Sequence, residues 1–357
     1  MEDFLTRRDF IKIGLYSILP NWLKDWLNIQ PSANKETAKK SAAIDPDFEP
    51  AYSRLHTTGE LKRRAEELWQ SLEKCELCPR GCGVNRLKGK TGFCHAPGVK
   101  LFISAFHPHF GEERPLVGKG GSGTIFLTHC NLRCVFCQNY EISQLGRGYE
   151  RSIDELAKMM LRLQEIGCHN INLVTPTHYS AHILKALDIA AERGLKLPIV
   201  YNTCGWESVS ILKTLDGVVD IYLPDIKYAD SEMSAKYSSK AFSYPEITKE
   251  AILEMHRQVG VAKPAKDGIM YRGLMIRHLV MPNNVGGSEE IVEWIAENLP
   301  KDTYLNIMAQ YNPCYKAYDY PEIARRITRK EYTQVVNRAK ELGLCNLDIQ
   351  GYWWLLR

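Results

Sequence analysis

The 357-residue chain reads as an α/β protein built on a parallel sheet covered by helices. From Gly123 onward, short apolar runs alternate with stretches of helical periodicity, six times in succession. That is the pattern of repeated βαβ units. The runs are continuously apolar, as expected of strands buried on both faces. A polar or special residue follows directly on each run, and in such folds the functional groups gather at the C-terminal strand ends. Periodicity alone does not separate a doubly wound sheet from a partial barrel.

In chain order, residues 61–72 (LKRRAEELWQSL) space their apolar side chains as a helix does. Strands are expected at 124–128, 170–174, 198–202, 219–223, 273–280 and 303–308, with a short one at 346–350. Helices are expected between them at 153–166, 181–193, 208–215, 247–259 and 289–298, and at 329–342. No internal repeat is visible. Gly118 to Gly123 (GKGGSG) reads as a turn, because no phosphate-loop Lys-Ser/Thr pair and no helix follow it.

The apolar share of 45% supplies a sizeable core. A net charge of +4 without a long Lys/Arg block argues against nucleic acid as a partner. No run of 18 apolar residues exists, so no transmembrane segment is expected. The start is ambiguous. Thr6-Arg7-Arg8-Asp9-Phe10-Ile11-Lys12 resembles a twin-arginine export signal. The apolar stretch after it is short, stops at Pro20 and lacks a small-residue cleavage site. Trp22, Leu23, Trp26 and Leu27 recur at helical spacing, and residues 31–50 read as a linker. The expected division is residues 1–58 for this signal-like, amphipathic and linker segment, 59–122 for a helix and a cysteine-rich metal-binding segment, and 123–357 for the βα series.

Seven of the 11 cysteines fall in two groups, which points to metal sites rather than a disulfide framework. Cys130, Cys134 and Cys137 form Cys-x3-Cys-x2-Cys in THCNLRCVFCQN. Three thiolates can hold three irons of a cubane cluster and leave the fourth iron without a protein ligand, whereas an electron-transfer cluster takes four. Three buried cysteines in a turn, or part of a zinc site, is the plainer alternative. Cys75, Cys78, Cys82 and Cys94 lie in CELCPRGCGVNRLKGKTGFC, where Pro79 and the glycines allow tight turns. Four thiolates suit zinc or a second iron–sulfur cluster, and spacing does not choose between them. His95 reads as a bystander. Cys168, Cys204, Cys314 and Cys345 are isolated and read as small core hydrophobes. His107, His109, Glu112 and Glu113 lie between the two groups. They can bind metal or handle protons, or belong to an ordinary loop over the mouth of the fold.

The triplet, with Phe136 ahead of its last cysteine, resembles the signature loop of the radical S-adenosylmethionine (SAM) superfamily. With CELCPRGCGV before the strand series and NLVTPTHY on the second strand, the chain from about Cys75 onward is similar to the relatives of pyruvate formate-lyase activating enzyme. The resemblance implies a partial (βα)6 TIM-like barrel with an N-terminal cysteine-rich segment. It implies a 4Fe–4S cluster on Cys130, Cys134 and Cys137 whose open iron chelates SAM. Reductive cleavage of SAM then yields a 5′-deoxyadenosyl radical that abstracts hydrogen, with the cofactor carrying the hard chemistry. An electron donor such as flavodoxin or ferredoxin is implied, and in the activase reading a protein substrate that receives a glycyl radical. Because SAM and reductant are normally supplied in the cytoplasm, cytoplasmic residence is expected, with export by the twin-arginine pathway the alternative.

One departure from the superfamily stands out. Its Gly-Gly-Glu segment after the second strand is replaced by Thr175-Pro176-Thr177, whose hydroxyls or carbonyls would stand in for the carboxylate. By position, Thr175, Thr177, Asn202 and Asp225 are candidates for SAM, and Arg277 and Lys227 can pair with a carboxylate. For each, a strand-end cap or salt bridge is the competing role, favoured for Lys227 and His278. The competing function is a non-catalytic electron carrier or metal-binding scaffold on a decayed barrel.

Overall fold

A computed structural model describes residues 48–349. The export-like segment, the amphipathic stretch and nearly all of the linker lie outside the described residues. Among those described, no helix is long and apolar enough to cross a membrane.

The chain opens with helices α1 (Ala51–Thr57) and α2 (Glu60–Gln70), then passes through the first cysteine group into strands β1 (Leu101–His109), β2 (Ser122–Leu127) and β3 (Tyr149–Arg151). Regular alternation follows: α3 (Ile153–Ile166), β4 (Ile171–Val174), α4 (Ser180–Glu192), β5 (Ile199–Thr203), α5 (Val209–Thr214) and β6 (Ile221–Pro224). Then come α6 (Ser231–Tyr237), α7 (Tyr244–Val259), β7 (Gly273–Leu279), α8 (Ser288–Asn298), β8 (Tyr304–Met308), α9 (Arg329–Glu341) and β9 (Leu347–Ile349). The strands form one sheet in the order β3-β1-β2-β4-β5-β6-β7-β8-β9. It is parallel from β2 to β9, and β1 runs antiparallel to both of its neighbours. All of the expected strands are present, so the α/β class and the mostly parallel sheet hold.

Local chemistry fixes the element ends. Ser152 caps α3 through a reciprocal box with Glu155, the Ser152 Oγ accepting from Glu155 N at 3.1 Å and Ser152 N donating to Glu155 Oε2 at 2.7 Å. Leu156, Met160 and Leu163 then bury one face of the helix, each worth about 1.5–3 kcal/mol of transfer free energy. Gly167, at φ 96°, ends it. At the base of the sheet, Asp220 accepts from Ala51 N at 2.8 Å and Ile199 N at 2.9 Å, so it caps α1 and ties it to β5. Tyr52 donates to Leu197 O at 3.1 Å beside it.

Two elements depart from the sequence reading. His107-Pro108-His109 belongs to β1 and not to a loop. Its pattern is broken because β3 pairs only with Leu101, Phe102 and Ile103. Past Ile103, β1 is a sheet edge, where Pro and polar residues are tolerated. Helix α6, too short to show a period, starts where Asp230 accepts from Met233 N at 2.8 Å.

Candidate active site at the strand ends

A cavity of about 240 Å³ opens at the C-terminal ends of the parallel strands, lined by Cys130, Cys134, Cys137, Thr175, Asn202, Cys204, Asp225, Lys227 and Arg277. The cysteine loop is the connection that leaves β2. His129 (φ 69°) and Arg133 (φ 56°) turn it through the left-handed region. Val135 N donates to Tyr237 O at 2.8 Å and Lys316 N to Val135 O at 2.9 Å, which pins the loop from two sides. Each sulfur has a donor: Leu132 N to Cys130 Sγ at 3.4 Å, Ser238 Oγ to Cys134 Sγ at 3.0 Å, and the Ser143 hydroxyl 3.1 Å from Cys137 Sγ.

Burial pushes the Cys134 thiol up to about 12 and raises Cys137. Cys130 is held down at about 6, first by a hydrogen bond from the Cys204 thiol and then, against burial, by backbone N–H groups. Left alone, two of the three would stay protonated near neutrality. Their donors are arranged for sulfur that carries negative charge, the state metal binding imposes. Among the described residues, no three His, Cys, Asp or Glu side chains converge as ligands of one ion. A cubane asks for something else, one thiolate on each of three irons, and the triplet on one cavity wall meets that requirement.

Facing the cysteines is a charged network. Arg277 Nε donates to Asp225 Oδ1 at 2.8 Å and Nη2 to Asn202 Oδ1 at 2.6 Å, with Nη1 3.5 Å from Glu112 Oε2. Lys227 pairs with the other Asp225 oxygen. Burial works against the Asp225 charge, yet Arg277 and Lys227 hold its carboxyl below the usual range. Glu112 is pushed up to about 7, chiefly by burial. The strand ends meet closely here because residue 205 is glycine. Gly205 sits at φ 84°, and a Cβ there would lie 2.0 Å from Asp225 O.

Of the residues singled out by sequence, Thr175, Asn202, Asp225 and Arg277 line the cavity with the cysteine triplet. Thr175 does so at φ 61°, rare for a β-branched residue, with its N–H on Asn202 O at 2.9 Å. Thr177 does not line it. It is buried and donates to Glu207 Oε1 at 2.6 Å. Lys227, read as a salt-bridge residue, is one and also lines the cavity. His278 is buried between Ile226 O (2.7 Å) and Ser288 Oγ (2.8 Å), and burial lowers it to about 4, so it is a neutral structural group.

The sequence did not show what three groups do at this site. Cys204, read as a core hydrophobe, lines the cavity beside Cys130. Glu112 reaches Arg277 from the connection after β1. Glu207 is fully buried and collects hydroxyls from Thr177, Thr203 and Tyr201. A Glu two residues after a strand-end Cys-Gly is a visible signal; its partners are not.

The second cysteine group packs against this loop. Arg80, in the CPRGC turn, donates to Asn131 O at 3.0 Å and Ser238 O at 3.2 Å, and its guanidinium lies over Phe93 and Trp206, 3.8 and 4.6 Å from the ring centroids.

The family profile described as the radical SAM superfamily matches residues 124–272, from β2 to the start of β7. The uncharacterized protein MJ0674 of Methanocaldococcus jannaschii is 33% identical over 284 residues, 76% of this chain and 76% of that protein. The uncharacterized protein MJ0808 of the same organism is 26% identical over 298 residues, 74% of this chain and 80% of that protein. A crystal structure of a radical SAM methyltransferase from Sphaerobacter thermophilus aligns with a TM-score of 0.42 and 14% identity, over 69% of this chain and 77% of that one. The matched segment begins on the strand that delivers the cysteine triplet and takes in Thr175, Asn202, Asp225 and Lys227. Membership implies a 4Fe–4S cluster and SAM as cofactors, and the chain belongs to the radical SAM superfamily.

Proposed function

We propose that the protein cleaves SAM reductively at the strand-end cavity and abstracts hydrogen from a substrate there. The observation that carries this is the placement of Cys130, Cys134 and Cys137 on the same cavity as the Asn202–Asp225–Lys227–Arg277 network. The three thiolates would hold the 4Fe–4S cluster, which supplies the one-electron chemistry when bound.

The residues opposite then have definite work. Asp225 carries one negative charge and Lys227 and Arg277 one positive charge each. With Glu112 neutral below about 7, the group sums to one net positive charge. That is the sign that receives a carboxylate such as the one SAM presents, with Arg277 able to donate in its fixed fork. Asn202 offers an amide between Arg277 and Glu112. Thr175 replaces the acidic acceptor of other members with a carbonyl and a hydroxyl.

An activating-enzyme-like role, with a partner protein as hydrogen donor and flavodoxin or ferredoxin as reductant, is the finer reading. It is supported by the likeness of CELCPRGCGV and NLVTPTHY to that branch. The test is anaerobic reconstitution, reduction with dithionite and addition of SAM. Formation of 5′-deoxyadenosine and a SAM-perturbed electron paramagnetic resonance signal are expected. A reducible cluster that neither responds to SAM nor cleaves it would overturn the proposal in favour of an electron carrier or scaffold.

A further inference from the structure

Arg86 is fully buried, at 0% exposure. Its Nε donates to Gly98 O at 2.7 Å and its Nη1 to His178 O at 2.6 Å. Both acceptors are neutral. Nη2 has no hydrogen-bond partner among the described residues, and Arg86 forms no ion pair with a carboxylate there. A buried guanidinium without a counter-charge is strongly unfavourable. What its field reaches is sulfur: burial raises the Cys75 and Cys94 thiols, and the guanidinium acts electrostatically on both to lower them.

The four cysteines of this segment are gathered by backbone geometry. Cys75 N donates to Val84 O at 3.1 Å and Gly83 N to Cys75 O at 3.0 Å, so CELCPRGCGV folds back on itself. The return segment passes so close that a Cβ on Gly92 would lie 2.7 Å from Cys82 Sγ. Cys82 acts electrostatically on Cys75, Cys75 and Cys82 act on Cys94, and Cys94 and Cys75 act on Cys78. Neutral thiols give Arg86 no counter-charge. Four metal-bound thiolates do, because their charge exceeds that of the metal they hold.

We propose that Cys75, Cys78, Cys82 and Cys94 bind a second iron–sulfur cluster as thiolates, and that Arg86 is the counter-charge the fold buries for it. Four thiolates are the set that closes a cubane cluster with no open iron, and zinc on the same four sulfurs is the outcome that overturns the assignment. A cluster spreads its thiolates over separate irons, whereas structural zinc draws four ligands onto one centre. This goes beyond the SAM-cleaving reading and does not depend on it, since no SAM enters the test.

The test uses the full chain with Cys130, Cys134 and Cys137 all changed to Ala, reconstituted anaerobically with iron and sulfide. About half of the wild-type iron and sulfide should remain, with a cubane signature by Mössbauer spectroscopy. The reciprocal Cys78→Ser/Cys94→Ser variant should lose the same half. Zinc without iron, or no bound metal in the triple variant, would overturn the proposal. In the triple background, Arg86→Gln should shift the reduction midpoint of the remaining cluster to more negative potential, or release the cluster altogether. Arg86→Lys, which keeps the charge, should restore it toward the parent. An unchanged midpoint in Arg86→Gln, or equal loss of cluster in the Gln and Lys variants, would overturn the counter-charge role.

Discussion

The two ends of the parallel sheet both bury carboxylates, but they partner them differently. At the base, Asp220 accepts from the backbone amides of Ala51 and Ile199. At the mouth, Asp225 is held by the side chains of Arg277 and Lys227, and Glu207 by the hydroxyls of Thr177, Thr203 and Tyr201. A carboxylate bonded to backbone amides locks two segments and can do little else. A carboxylate held by side chains from separate strands can change partners when a ligand arrives. The buried carboxyl at the base serves assembly, and the network around Asp225 at the mouth keeps a site charged and adjustable.

The sharpest separation of the ends is Cys134→Ala. It removes one sulfur from the cavity wall and should abolish 5′-deoxyadenosine formation, while the far-UV spectrum and melting of the metal-free protein stay near wild type. Full activity would sink the cluster assignment. Arg277→Gln should affect both catalysis and stability. It leaves Glu112 and one side of Asp225 without their cation, and breaking a buried pair in this way costs about 3–5 kcal/mol. A lower denaturation midpoint with weakened SAM binding is expected, and Arg277→Lys should recover part of both. Unchanged SAM affinity in the Gln variant would remove Arg277 from the binding role.

The base is probed by pH. Burial raises Asp220 from 3.8 to about 7 in the folded chain. The native state therefore holds a proton that the unfolded chain releases at lower pH. The stabilisation from that proton is complete below about 3.8 and is lost as pH rises through about 7. Asp220→Asn should flatten the decline of denaturation midpoint between those pH values and leave SAM cleavage intact. An identical slope in the two proteins would place the titration elsewhere. The smallest effect belongs to Ser152→Ala on α3, which does not line the cavity: about 1 kcal/mol from a lost cap, read by chemical denaturation, with no change in 5′-deoxyadenosine yield.

The same contrast explains what could be read from the sequence. Strands β4, β5, β6, β7 and β8 were legible because burial on both faces leaves continuous apolar runs. The cysteine triplet was legible because its spacing is local. Strand β1 was not, since its outer half is an edge and carries His-Pro-His. Glu112 was not singled out as a partner of Arg277 because 165 residues separate them, and only the fold makes them neighbours. Cys204 looked like a core hydrophobe because nothing beside it in sequence shows that Cys130 lies across from it. Arg86 is one arginine among 46 basic residues until its burial is known.

The unpaired half of β1 bears on how the molecule behaves in a crowded solution. Past Ile103 its outer backbone groups have no strand partner among the described residues, and exposed Phe106 and Phe110 flank the stretch. Such an edge invites a strand from another chain to add to it. Pro108 removes one N–H from the would-be ladder, and the bulge between Ile103 and Ala105 spoils the register a newcomer would need. Replacing Pro108 with a β-branched residue would turn a guarded edge into a template for aggregation.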